Sequence, residues 1–138
     1  MSARDRYHDW VKETLINAGW IISHDPLSIS IGKISVQIDL GLESLIAAEK
    51  GTERIAVEIK SFGKVSQITD FYAALGQYLC YKVALAEKHP DRTLYLAVPE
   101  PVYELFFTEI LIQKVLQAYP VKLLVYNLVN KEIQSWIN

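Results

Sequence analysis

The sequence predicts an α/β domain: helices flanking a mixed central sheet, in α-β-β-β-α-β order with a C-terminal α-β-β ending. Three observations predict it. Residues 2–18 and 66–87 repeat apolar side chains at helical spacing. The segments between and after them alternate apolar and polar residues, or run wholly apolar, as strands do. Residues 54–98 read as strand, helix, strand, which implies a parallel pair joined by a right-handed crossover.

Each element has its local reason. Ser2 can cap a first helix to about Ala18, with Tyr7, Trp10, Val11, Thr14, Leu15 and Ala18 as its buried stripe. Gly19 fits the left-handed position that ends a helix. Residues 20–24 read as a short strand stopped by Asp25-Pro26, and residues 33–39 as the next. In the latter, Ile34, Val36 and Ile38 face one way while Lys33, Ser35, Gln37 and Asp39 face the other. Leu40-Gly41-Leu42 reads as an irregular connection. Residues 45–49 pair with 54–60 in a hairpin turned at Lys50-Gly51-Thr52-Glu53, with a loop at 61–65.

Ser66 can cap the long helix, whose apolar stripe is Ile68, Phe71, Tyr72, Leu75, Leu79 and Val83. Gly76 interrupts it and suggests close packing on the sheet. Residues 93–98 have the apolar character of a strand buried on both faces. Pro99 and Pro101 open a third helix over residues 102–118. Residues 121–127 and 132–137 close the fold as paired strands around Asn130-Lys131. With no repeat or linker, the reading is one domain over residues 1–138.

Bulk composition narrows the function classes. The 138 residues are 51% hydrophobic and 22% charged, enough apolar material for a single core. No apolar run reaches the roughly 20 residues of a membrane span, and residues 1–6 lack the apolar stretch of a signal peptide. Cys80 is the one cysteine and reads as a small buried apolar residue in a reducing compartment. A cytoplasmic protein with no membrane contact is expected. The net charge is −2, and neither half of the chain is basic. Proteins that grip DNA unaided carry a basic footprint. Any nucleic-acid contact here is therefore local, or a partner supplies the surface.

The chemistry concentrates in Ile55-Ala56-Val57-Glu58-Ile59-Lys60. Strand periodicity puts Glu58 and Lys60 on one face, roughly 6–7 Å apart. Ala56 leaves room beside them. Asp39 ends an earlier strand of the same design. Two carboxylates and an ammonium on neighbouring strands make a divalent-metal site with a cation beside it, which points to phosphodiester chemistry. The plainer reading is a surface ion-pair cluster worth roughly 0–1 kcal/mol per pair. His8, His24 and His89 share no metal-ligand spacing and read as surface or capping residues. No Gly-rich phosphate loop or Ser/Cys–His pair stands out. Lys12, Lys33 and Lys64 could form a local phosphate-facing patch.

Helix, three strands, helix, strand, with Asp39 on the second strand and Glu58-Ile59-Lys60 on the third, resembles the restriction-endonuclease-like core of the PD-(D/E)xK nuclease superfamily. Residues 1–98 cover that core; Ile38 stands where many members have proline. Several strings resemble the XisH family more closely: Ile38-Asp39-Leu40-Gly41, Leu45-Ile46-Ala47-Ala48-Glu49-Lys50-Gly51, the strand at 55–60 with Ser61-Phe62, Ala74-Leu75-Gly76-Gln77-Tyr78, and Leu94-Tyr95-Leu96-Ala97-Val98-Pro99. Members of that family are called fdxN element excision controlling factors, which implies a role in programmed DNA excision. A separate site-specific recombinase and a companion factor of the XisI type are the implied partners.

The resemblance also implies roles. Asp39, Glu58 and the Ile59 backbone carbonyl would hold Mg²⁺, with Mn²⁺ as a substitute, and Lys60 would stabilise phosphate charge. Gln77 and Tyr81, four apart on one helix face, match a Gln-x-x-x-Tyr pair that arranges the site or touches DNA; otherwise they are a polar stripe beside the core. Glu13 is the candidate further acid from the first helix, or else a solvated charge. Two functions follow: a Mg²⁺-dependent endonuclease acting in element excision, or a non-catalytic protein- or DNA-binding accessory. One half of a toxin–antitoxin-like pair is a weaker third. The sheet edges and residues 121–137 are candidate homodimer contacts.

Overall fold

The computed structural model describes residues 6–47, 51–63 and 66–138. Its elements are α1 (His8–Asn17), β1 (Ile21–His24), β2 (Leu27–Ile31), β3 (Ile34–Ile38), β4 (Leu40–Ala47), β5 (Gly51–Ile59), α2 (Gln67–Lys88), β6 (Arg92–Pro99), α3 (Glu100–Val102), a π-helical segment (Tyr103–Phe107), α4 (Ile110–Ala118), β7 (Leu123–Asn127) and β8 (Glu132–Ile137). Six strands form one mixed sheet in the order β1-β4-β5-β6-β7-β8, while β2 and β3 pair separately. The β5–β6 and β6–β7 pairs are parallel and the rest antiparallel. The α/β class and the parallel unit around α2 are as the sequence predicts.

Local chemistry explains the boundaries. Gly19 (φ +100°) ends α1 from the left-handed region, where a Cβ would be strained. The Ser66 side chain accepts from the Thr69 N–H at 3.3 Å and caps α2. The anticipated Ser2 cap, Lys50 and Lys64 lie outside the described residues, and Gly51-Thr52-Glu53, expected in the hairpin turn, belong to β5.

The sheet divides the core in two. Ile55, Val57 and Ile59 of β5 pack with Val11 and Leu15 of α1, Leu40 and Leu42 of β4, and Tyr126. Ala56 faces the other way, into a cluster with Leu27, Ile38, Phe71, Tyr78 and Phe107. Each buried aliphatic side chain contributes about 1.5–3 kcal/mol.

Three expectations are corrected. First, Leu27-Ser28-Ile29-Ser30-Ile31 is a strand, paired with β3 around Gly32-Lys33, so the segment before Asp39 belongs to a separate hairpin and not to the main sheet. Its alternation survives, but Ile34 at the hairpin tip is 70% exposed. Second, Leu40-Gly41-Leu42 is no loop: it opens β4, with Leu40 opposite Val57. Third, α2 is rotated from the anticipated stripe. Phe71, Ala74, Tyr78, Tyr81 and Leu85 are buried, whereas Tyr72, Leu79, Val83 and Cys80, the last expected in the core, are exposed. Gly76 does not press on the sheet; a Cβ added there would meet nothing within 4 Å.

Candidate functional site

Register brings the two acids together. With Leu40 opposite Val57 in an antiparallel pair, the preceding residue Asp39 falls opposite Glu58. Asp39 thus stands at the head of β4, between the small hairpin and the main sheet. Its N–H donates to Glu58 Oε1 at 3.2 Å, and its Oδ2 accepts from the Ile59 N–H at 2.8 Å. A residue in an extended strand sends its N–H and C=O to the same edge, so the Ile59 carbonyl is on the Asp39 side. The Lys60 N–H donates the opposite way, to the Ala97 carbonyl at 3.0 Å.

Glu58 is 6% exposed. Burial, and then the neighbouring Asp39 charge, push its carboxyl from 4.5 up to about 8. Lys60 Nζ lies 3.7 Å from Glu58 Oε2 and pulls the other way without prevailing. Tyr81 belongs to the same neighbourhood: burial, then Glu58 and Asp39, push its hydroxyl up to about 12. Gln77 precedes it by one helical turn, and its buried Oε1 has no hydrogen-bond partner.

The first helix supplies His8 to this group. The sequence reading placed His8 at the surface, yet it is 3% exposed. Its Nε2 is 2.9 Å from Asp25 Oδ1 and its Nδ1 is 3.7 Å from Asp39 Oδ1. Lys12 Nζ donates to Asp25 Oδ2 at 2.6 Å. Burial pushes the Asp25 carboxyl up, but Lys12 and His8 outweigh it and hold it below the ordinary carboxylate range. The signal was available: His8, Val11 and Leu15 continue one buried stripe at spacings of three and four.

Other anticipated members lie elsewhere. Glu13 is exposed and pairs with Lys131 Nζ at 3.2 Å, away from the two acids. Lys33 occupies the β2–β3 turn and Lys12 is engaged by Asp25, so these two are not gathered into a phosphate-facing patch. His24 is exposed and His89 half-buried.

Asp39 and Glu58 offer the oxygen donors a hard divalent cation prefers, and the raised Glu58 carboxyl marks surplus negative charge in a buried place. Among the described residues no group of three or more His, Cys, Asp and Glu side chains forms a fuller cage. The donor set fits a cation that keeps much of its water, as magnesium does.

No curated protein matches the chain. A family model described as XisH protein matches residues 1–134. Two solved structures are similar throughout. One is an XisH family protein from Nostoc punctiforme PCC 73102, 39% identical, with a TM-score of 0.88 over 97% of this chain and 100% of that one. The other is an fdxN element excision controlling factor protein from Anabaena variabilis, 41% identical, with a TM-score of 0.88 over 98% of this chain and 100% of that one. With near-complete coverage by the family model, and both structures aligned along almost the entire chain, this protein belongs to the XisH family.

Proposed function

We propose that this chain is an element-excision controlling factor built on a restriction-endonuclease-like core, and that Asp39, Glu58 and Lys60 form a magnesium-dependent phosphodiester-hydrolysing site. The observation that carries the proposal is the clasp in which the Asp39 N–H meets the Glu58 carboxylate and the Asp39 carboxylate takes the Ile59 N–H, with the Lys60 ammonium beside Glu58. Element order supports it. With the β2–β3 hairpin set aside as an insertion, α1, β1, β4, β5, α2 and β6 run helix, three strands, helix, strand. Asp39 heads the second of these strands, and Glu58-Ile59-Lys60 ends the third.

Asp39, Glu58 and the Ile59 carbonyl would hold Mg²⁺ or Mn²⁺. The bound cation would supply an acidified water and neutralise phosphate charge. The chain's own groups do the rest. Lys60 is placed to stabilise charge on a phosphate oxygen. Tyr81, held protonated, is a hydrogen-bond donor at the back of the site, and Gln77 has a spare acceptor one turn away. His8 braces Asp39 from α1. The neutral-to-acidic charge favours action with a companion of the XisI type and a recombinase, which share the DNA-binding surface. A cytoplasmic setting fits this role.

Calorimetric titration with Mg²⁺ and Mn²⁺, beside cleavage of plasmid, branched and single-stranded DNA, tests the reading. Wild type should cleave, and Glu58→Ala and Lys60→Ala should not. Equal backgrounds in all three end the nuclease reading. The charge balance favours a second reading, a non-catalytic binding module that uses the cleft only to recognise DNA or protein. Partner or DNA binding that survives Asp39→Ala and Glu58→Ala, without metal uptake, selects it.

A further inference from the structure

His8 is placed by its helix. It opens α1 on the buried stripe that Val11 and Leu15 continue. Lys12, one turn further on, shares that flank of the helix. Together they grip both oxygens of one carboxylate. His8 Nε2 is 2.9 Å from Asp25 Oδ1, and Lys12 Nζ donates to Asp25 Oδ2 at 2.6 Å. With an ammonium against it, Asp25 is ionised, and an ionised carboxylate only accepts. The proton between Asp25 and His8 therefore sits on Nε2, and this bond fixes the ring.

The other ring nitrogen is left over. His8 is 3% exposed, and its Nδ1 is buried with no hydrogen-bond partner among the described residues. Asp39 Oδ1 faces it at 3.7 Å, too far for a hydrogen bond. Unpartnered buried polar atoms are rare in folded chains; they mark an ion, an ordered water or a catalytic role. Here the atom is a lone pair aimed at a carboxylate oxygen.

A metal-binding imidazole is built this way. It hands its second N–H to a carboxylate, which orients the ring and makes the ligating nitrogen more basic. The spacing agrees, because two donors each about 2.1 Å from one ion stand at most about 4.2 Å apart. We propose, resting on the metal site put forward above, that His8 Nδ1 is a nitrogen ligand of the cation held by Asp39 and Glu58. Among the described residues these three side chains do not make a finished cage. His8 Nδ1 and Asp39 Oδ1 are nevertheless already close enough to share one ion. The consequence is selectivity. Magnesium keeps to oxygen ligands, whereas first-row transition ions accept imidazole. The cofactor is therefore a first-row divalent ion, with Mn²⁺ ranked above Mg²⁺, and Asp25 tunes the site through His8.

Mn²⁺ is the probe, on the full chain. Calorimetry should show Mn²⁺ bound roughly ten-fold or more tighter than Mg²⁺. Electron spin-echo spectra of the Mn²⁺ form should carry modulation from a directly bonded imidazole nitrogen, altered when histidine is labelled with the heavier nitrogen isotope. His8→Gln keeps a donor for Asp25 and removes the ring. It should stay folded by circular dichroism, lose the modulation, and weaken Mn²⁺ by about 100-fold while hardly moving Mg²⁺. Asp25→Asn should weaken Mn²⁺ by about ten-fold. His89→Gln, outside the site, should change neither. Mn²⁺ uptake that depends on Asp39 but shows no nitrogen modulation overturns the proposal, leaves Nδ1 to an ordered water and lets the metal site stand. Uptake of neither ion overturns both. The wild-type spectrum decides the matter even where His8→Gln fails to fold.

Discussion

Asp39 and Glu58 hold one another through the backbone. Asp39 donates its N–H to Glu58 Oε1 and takes the N–H of Ile59 on its own Oδ2, at 3.2 and 2.8 Å. The strand end that bears Glu58 is therefore fixed by the residue that shares its chemistry.

That clasp separates charge from structure. Asp39→Ala leaves the Ile59 N–H without its acceptor and should cost about 1–3 kcal/mol in urea unfolding. Asp39→Asn keeps an acceptor oxygen and should retain most of that stability. Both should lose Mg²⁺ uptake by calorimetry, because neither presents a carboxylate. Equal stability of the two variants would show that the Ile59 bond contributes nothing.

Glu58 makes metal-free stability fall with pH. Its carboxyl stands at about 8 in the folded chain against 4.5 ordinarily, through burial first and Asp39 second. Between those values the folded state holds a proton that the unfolded state releases. The contribution is thus full below about 4.5, declines as pH rises and is gone above about 8. Thermal melts in chelator should show this slope, and Glu58→Gln should flatten it. Mg²⁺ binding within the window should expel a proton, which calorimetry in buffers of different ionisation heat detects. A wild-type profile as flat as that of Glu58→Gln removes the premise.

His8 should matter more than its single conspicuous bond suggests. His8→Ala opens a gap between Asp25 and Asp39 and should cost about 2–4 kcal/mol near neutral pH. Asp25 is held below its ordinary range, so the stability it contributes is present above that range and is lost as pH falls from there through its lowered folded value. The penalty of His8→Ala should therefore shrink in acid. Urea midpoints at neutral and acid pH check this, and a penalty constant with pH would make it pure packing.

The sequence made β5 legible because both its faces are stated plainly: Ile55, Val57 and Ile59 against α1, Ala56 and Glu58 against the other side. The pairing of Asp39 with Glu58 was legible in part, as two residues of one site but not as neighbours in register. What hid the register was Gly41, which reads as a breaker. In the fold, a Cβ at Gly41 would sit 3.2 Å from Arg92 Nη1 and 3.1 Å from His24 Nδ1, so glycine is there to let these side chains cross the strand. Helix α2 was misread for a different reason. Leu79 and Val83 stand on the outer face, while Ala74, Tyr78, Tyr81 and Leu85 fill the inner one. Tyr78 can be buried because its hydroxyl donates to the Leu94 carbonyl at 3.0 Å and accepts from the Lys122 N–H at 3.1 Å. Such long-range partners leave no periodic trace.

Arg92 stitches four strands from the start of β6. Its Nη1 donates to the carbonyls of Ile55 in β5 and Leu42 in β4, at 2.8 and 3.2 Å. Its Nη2 donates to Ser23 Oγ in β1 at 3.0 Å. A single ammonium cannot span these acceptors in one plane. Arg92→Lys should therefore cost about 2–4 kcal/mol in urea unfolding, close to the cost of Arg92→Ala. The same guanidinium acts on His24, whose imidazole is held below its ordinary range by burial first and Arg92 second. Arg92→Gln should raise the His24 midpoint in an NMR titration, since the positive neighbour is gone and the imidazolium is easier to form. An unmoved His24 would mean that burial and its other neighbours, His89 among them, set its titration.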